Sequence, residues 1–127
     1  MMNLQDWYVL VVEDDPDGQE VVQRLLRHHG IRFDAAMDAE SALELLSHQT
    51  YTVAVLDLAL PLMDGWSLAK RIKNNPRTAH IPCFAITAFH SSDVTNKFLE
   101  NGFAGYFPKP LNPVSFVQEI KQVVDSQ

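Results

Sequence analysis

Five short apolar runs alternate with five amphipathic helical patterns from one end of the chain to the other, and this alternation leaves few folds open. Tyr8–Val12 is continuously apolar, as a strand buried on both faces requires. Ile31–Ala36 is a weaker run, expected at a sheet edge. Thr52–Leu56, Ile81–Ile86 and Ala104–Phe107 complete the set, with Pro82 near the start of the fourth, where a missing N–H is tolerable. Helix signals fill the gaps. Asp15-Pro16 is an N-cap followed by proline at the first helical position, Val21, Val22, Leu25 and Leu26 mark an inner face, and Gly30 is the stop. Asp38 caps a helix with Ala39, Ala42, Leu43 and Leu46 inward. Asp64 caps one carrying Leu68, Ala69 and Ile72, with Pro76 just beyond it. Ser91 or Ser92 caps a helix with Val94 and Phe98 four residues apart, ending at Gly102. Asn112-Pro113 opens the last helix, whose stripe is Phe116, Val117, Ile120, Val123 and Val124.

Strand alternating with helix across short connections predicts a parallel sheet covered on both faces. Five strands are too few for an eight-fold barrel. The expected fold is α/β, a flavodoxin-like three-layer sandwich: a five-stranded parallel sheet of order 2-1-3-4-5 with five helices, forming a single domain over residues 1–127. In such a sheet the ligand site lies beyond the carboxyl ends of the strands, at the switch point between strands 1 and 3.

The polar residues fall at that end. Glu13-Asp14-Asp15 follows the first strand, Asp57 the third, Thr87 the fourth and Lys109 the fifth. Any one of them has an ordinary explanation as a cap, turn or surface residue. Asp15 reads as a helix cap, which leaves Glu13 and Asp14 as the working acids, and Asp64 reads as a cap rather than a ligand. The joint pattern, with central strands delivering acids, a hydroxyl and an amine to one edge, is poorly explained as fold support. Carboxylates crowded together repel unless a cation intervenes. A hard divalent ion such as Mg2+ takes oxygen ligands and commonly binds through one or two carboxylates plus phosphate oxygens. An acidic pocket with Lys109 and Thr87 beside it suits phosphoryl chemistry on Asp57, the lysine and the hydroxyl meeting phosphoryl oxygens.

Composition narrows the function classes. The formal net charge of −6 argues against direct nucleic-acid binding, which usually needs a basic patch. One cysteine, Cys83, sits in an apolar run; it excludes an internal disulfide and fits a reducing compartment. No run approaches the ~20 apolar residues that span a bilayer, and no signal peptide is evident, so a cytoplasmic protein without a membrane segment is expected. The histidines, including His28, His29 and His90, carry no metal or phosphohistidine signal.

The segments Val11-Val-Glu-Asp14, Leu56-Asp57 with Pro61-Leu-Met-Asp-Gly65, Ile86-Thr87-Ala88 and Tyr106-Phe-Pro-Lys109-Pro110 together resemble the receiver domain of two-component response regulators, in order and spacing, over essentially the whole chain. The resemblance implies that Asp57 takes a phosphoryl group from a histidine of a sensor kinase or phosphotransfer protein. It implies that Asp14 binds Mg2+ directly, with Glu13 nearby or through water, and that the Ala59 backbone carbonyl completes the protein ligands. Thr87 and Lys109 would contact phosphoryl oxygens, Lys109-Pro110 would be cis, and Tyr106 would be a switch residue that responds to Thr87. The readout face would be the fourth helix, fifth strand and fifth helix, around Val94, Phe98 and Tyr106, serving an unknown downstream protein; a dimer formed on phosphorylation is compatible with the family. Catalysis would be limited to the domain's own phosphorylation and dephosphorylation. Ala59 and Phe89 stand two residues after Asp57 and Thr87, where polar side chains often occur in fast-cycling members, so slow loss of the phosphoryl group is expected.

Two rivals fit less well. A phosphatase with a nucleophilic aspartate would carry a second Asp two residues on, where this chain has Ala59, and on the first strand rather than the third. A phosphorylation-independent interaction domain would have no need of every site residue. The 127 residues include no DNA-binding or catalytic effector. The short tails suggest a stand-alone regulator, or a receiver cut from a hybrid kinase or larger regulator.

Overall fold

The computed structural model describes residues 2–60, 63–88 and 95–127. Within them β1 (Tyr8–Val12), β2 (Arg32–Ala36), β3 (Val53–Asp57), β4 (Cys83–Thr87) and β5 (Phe103–Pro108) form one parallel sheet in the order β2-β1-β3-β4-β5. Helices α1 (Pro16–His28), α2 (Ala39–His48), α3 (Gly65–Asn74), α4 (Thr95–Glu100) and α5 (Pro113–Asp125) connect and follow the strands. This is the flavodoxin-like architecture expected from the alternation. The proposed caps Ser91 and Ser92, the inward Val94, and Pro61, Phe89 and His90 lie outside the described residues.

The central strands are apolar throughout because each of their faces is covered. Side chains alternate between faces. Leu10, Val12, Ala54, Leu56, Cys83 and Ala85 pack with Ala42, Leu46, Leu68, Ile72 and Phe98 from α2, α3 and α4. Val9, Val11, Val53, Val55, Phe84 and Ile86 pack with Val22, Leu26, Phe116 and Ile120 from α1 and α5. Each fully buried Val, Leu, Ile or Phe among them stabilises the fold by roughly 1.5–3 kcal/mol, so both layers hold the strand ends in place. The edge strand β2 is only partly buried, matching its weaker apolar run.

Helix ends follow their predicted chemistry. Asp15, Asp38, Asp64 and Asn112 accept hydrogen bonds from the backbone N–H of Gly18, Ser41, Ser67 and Ser115. Gly30 and Gly102 take positive φ, 70° and 87°, just beyond α1 and α4, where a side chain would be strained. No helix among the described residues is long and apolar enough to cross a membrane.

Four details differ from the sequence reading. Asp57 and Thr87 are the last residues of β3 and β4 rather than the first beyond them. Pro82 precedes β4, and its carbonyl accepts the Ala54 N–H at 3.0 Å. A single 3-10 turn, Leu4–Asp6, precedes β1 and delivers Trp7 into the core at 1% exposure. Val21, assigned to the inner face of α1, is 52% exposed. The buried stripe is Gln19, Val22, Leu25 and Leu26, so a polar residue takes the inward place for a reason given below.

Candidate functional site

Parallel pairing brings the polar residues to one edge. In register, Asp57 lies opposite Ile86 and Thr87 opposite Pro108. The ladder continues past the strands: Leu58 N–H donates to the Ile86 carbonyl at 3.2 Å, and Lys109 N–H to the Thr87 carbonyl at 2.9 Å. Glu13 N–H donates to the Ala36 carbonyl at 3.0 Å. The backbone of each candidate is therefore held by the sheet rather than by a loose loop.

Three of these groups are buried: Glu13 at 0% exposure, Thr87 at 2% and Asp57 at 6%. Asp14 is exposed. Lys109 Nζ lies 3.1 Å from Glu13 Oε2 and 3.6 Å from Asp57 Oδ2, one ammonium serving two buried carboxylates. Asp57 Oδ1 accepts the Ala59 N–H at 3.0 Å, and Glu13 Oε1 accepts the Asp15 N–H at 3.3 Å. Glu13 Oε2 has its ion pair but no donor aligned for a hydrogen bond.

The electrostatics follow from this crowding. Burial, reinforced by neighbouring Asp57 and opposed by Lys109, pushes the Glu13 carboxyl up to about 7. Burial alone would lower the Lys109 ammonium; its pairs with Glu13 and Asp57 outweigh that and hold it above its ordinary value. One carboxylate oxygen each from Glu13, Asp14 and Asp57 lie within 4.8 Å of one another. An all-oxygen set with an under-bonded buried carboxylate suits a hard cation that keeps several waters. The residues present thus fit a divalent ion of the Mg2+ type. Of the two acids after β1, Glu13 is enclosed and in contact with Lys109, and Asp14 is exposed.

The β3–α3 loop returns tightly to the site. Gly65 N–H donates to the Leu58 carbonyl at 3.1 Å, and a Cβ on Gly65 would collide with the Asp57 carbonyl oxygen. Next to it, Trp66 stacks on Phe98 (centroids 5.0 Å, 13°), and Phe98 stacks on Tyr106 (4.6 Å, 19°). The Lys109–Pro110 bond is cis.

Sequence reasoning missed three neighbours. Gln19, 4% exposed, donates through Nε2 to the carbonyls of Glu13 (3.1 Å) and Ala36 (2.9 Å), tying α1 to the ends of β1 and β2. Its signal was a polar residue three positions before Val22 on the inward stripe. Gly18 and Trp66 gave no signal, since their importance lies in what packs against them. A groove of about 600 Å3, lined by Tyr8, Arg32, Tyr51 and Thr52 among others, lies at the opposite end of the strands and includes none of the candidate residues.

Comparison with known proteins identifies the family and the fold. The family model for the response regulator receiver domain matches residues 9–121. The chain is 32% identical over 122 residues to an uncharacterized 14.6 kDa protein of Leptolyngbya boryana, covering 96% of this chain and 93% of that one. It is 27% identical over 115 residues to the response regulator PleD of Caulobacter vibrioides, covering 91% of this chain but only 25% of PleD. Among solved structures, the receiver domain of the sensor histidine kinase PA1611 of Pseudomonas aeruginosa superposes with a TM-score of 0.85 at 26% identity, covering 94% of this chain and 98% of that one. That structure has a magnesium ion coordinated in its active-site cleft.

Proposed function

This chain belongs to the response regulator receiver domain family, and from that premise we propose that Asp57 is its phosphoacceptor and that Glu13, Asp14 and Asp57, with the Ala59 carbonyl, hold Mg2+. The family's role is phosphoacceptor signalling in two-component systems, in which a histidine kinase or a histidine phosphotransfer protein is the donor. The observation that carries the residue assignment is the shared ammonium: Lys109 reaches both buried acids, Glu13 and Asp57, at the carboxyl end of the paired strands β1 and β3.

In the proposed reaction an Asp57 carboxylate oxygen forms a bond to phosphorus as the bond from phosphorus to the donor imidazole breaks, its electron pair returning to the ring nitrogen. The Ala59 N–H holds Oδ1 and so limits rotation of the nucleophile. Lys109, 3.6 Å from Oδ2, is placed to pair with a phosphoryl oxygen, and Thr87 at the end of β4 supplies a hydroxyl donor. When bound, Mg2+ supplies neutralisation of the negative charge on the transferring group. The new dianion then favours the conformation in which Thr87 and Lys109 reach it, and Tyr106, stacked on Phe98 of α4, carries that change to the α4–β5–α5 face and a downstream protein. Catalysis is confined to the domain's own phosphorylation and dephosphorylation. A cytoplasmic location goes with this reading.

The test is intact-mass measurement after incubation with acetyl phosphate or phosphoramidate and Mg2+. The wild type should gain one phosphoryl group, and Asp57→Asn should gain none. No gain with any donor, a phosphorylated histidine protein included, would refute the assignment.

A further inference from the structure

We infer that Gly18, in the first turn of α1, is a positioning residue: its missing side chain is the space in which the Glu13 carboxylate sits. This rests on the metal reading of the site and adds a residue to it. A Cβ built on Gly18 would lie 2.8 Å from Glu13 Cδ and 3.1 Å from Oε1. An exposed glutamate would relieve such a contact by turning away. Glu13 has no such freedom. Its N–H is bonded to Ala36 and its carbonyl to Gln19, so the backbone is pinned on both sides. Its side chain is fully buried, with Oε1 on the Asp15 N–H and Oε2 on Lys109. The displaced carboxylate would have to leave the Asp15 amide or crowd Lys109 and Asp57, the groups around which the cation is proposed to bind.

A glycine within a helix is unfavourable relative to alanine. If Gly18 were only a helix residue, Gly18→Ala would therefore raise the melting temperature and leave metal affinity unchanged. The clearance predicts the reverse, and it predicts rescue by a shorter acid: Glu13→Asp removes Cδ, the closest atom, and leaves only the Cγ position at 3.1 Å, a contact that a shift of a few tenths of an ångström relieves. The experiment is a cycle of wild type, G18A, E13D and G18A/E13D, read by Mg2+ titration calorimetry and by thermal unfolding in chelator. Groups that orient metal ligands commonly change affinity by about 10–100-fold, so G18A should weaken Mg2+ binding by about tenfold or more. G18A should also melt below wild type in chelator, whereas in the E13D background the same substitution should melt no lower and bind no worse than E13D alone. A G18A protein that fails to fold while G18A/E13D folds supports the inference equally. Equal losses in both backgrounds, failure of both to fold, or a G18A protein that binds and melts at or above wild type would overturn it. A wild type that binds no Mg2+ would sink the metal reading alone, since the metal-free melting cycle still decides the clearance.

Discussion

Replacing Glu13 by glutamine should make the metal-free protein more stable at mildly alkaline pH and no more stable in mild acid. Glu13 is fully buried and its carboxyl is pushed from 4.5 up to about 7, by burial first and then by Asp57, with Lys109 only partly compensating. A carboxyl whose folded value lies above its unfolded value binds its proton more tightly in the native state. Its stabilising contribution is present below pH 4.5 and is lost as the pH climbs through 7. At about 1.4 kcal/mol per unit, carrying the charged form above pH 7 costs on the order of 3 kcal/mol. Glutamine keeps the shape and an acceptor oxygen without the charge. The variant should therefore exceed wild type by up to about 3 kcal/mol near pH 8, or roughly 10 °C in melting temperature for a domain of this size, and match it near pH 4. Chemical and thermal unfolding in chelator across this range would measure the difference directly. Excess Mg2+ should narrow or invert the difference, because wild type, with the full set of acids, gains more stability by binding it. A difference between the two proteins that does not grow with pH, or that favours wild type at high pH without metal, would refute the reasoning.

Three shorter predictions follow from other contacts. Phe98, 1% exposed and stacked between Trp66 and Tyr106, should cost about 3–5 kcal/mol when cut to alanine, measured by denaturant unfolding, and Trp66 emission should change in the folded variant. Gln19→Leu keeps bulk on the inward stripe but strips the donor from the Glu13 and Ala36 carbonyls, so a loss of about 1–3 kcal/mol is expected; a denaturation midpoint equal to wild type would show that those bonds carry no net stability. Ala59→Asn places an amide two residues beyond Asp57 that could orient an attacking water. The lifetime of the phosphorylated protein should shorten, and an unchanged decay would count against the idea that apolar residue 59 protects the acyl phosphate.

The fold was legible because each signal had a local physical cause. Asp15, Asp38, Asp64 and Asn112 cap their helices because short polar side chains satisfy free N–H groups within one turn, which needs no tertiary information. Asp57 stood out because a carboxylate ends a strand otherwise apolar on both faces. What was hidden depends on contacts distant in sequence. Nothing in Glu13-Asp14-Asp15 says which acid turns inward; that follows from where β1 stops and from Lys109, far along the chain, meeting Glu13. Val21 was assigned inward on hydrophobicity, yet Gln19 occupies the stripe because two strand-end carbonyls need its amide. The Trp66–Phe98–Tyr106 stack joins α3, α4 and β5, and only their packing reveals it.

The same charges explain why this edge is suited to switching. Without metal and with all three acids ionised, buried Glu13 and Asp57 and exposed Asp14 set three negative charges against one lysine, a deficit of two that protonation of Glu13 relieves as the pH falls through about 7. A divalent cation cancels that deficit. Converting the Asp57 carboxylate to an acyl phosphate would then replace one negative charge by about two beside the buried Glu13, and the balance would be broken again. Under the proposed reading, relief comes from the donors nearest the new charge, Lys109 and the Thr87 hydroxyl, both anchored on strands β4 and β5 that meet through the Lys109 N–H and the Thr87 carbonyl. On that reading a shift there would be transmitted along β5 to Tyr106, which is stacked on Phe98 of α4. On the proposed reading, the packing that makes Glu13 costly before metal binding would also give phosphorylation its leverage, so Glu13→Gln should gain metal-free stability while losing metal-dependent phosphorylation.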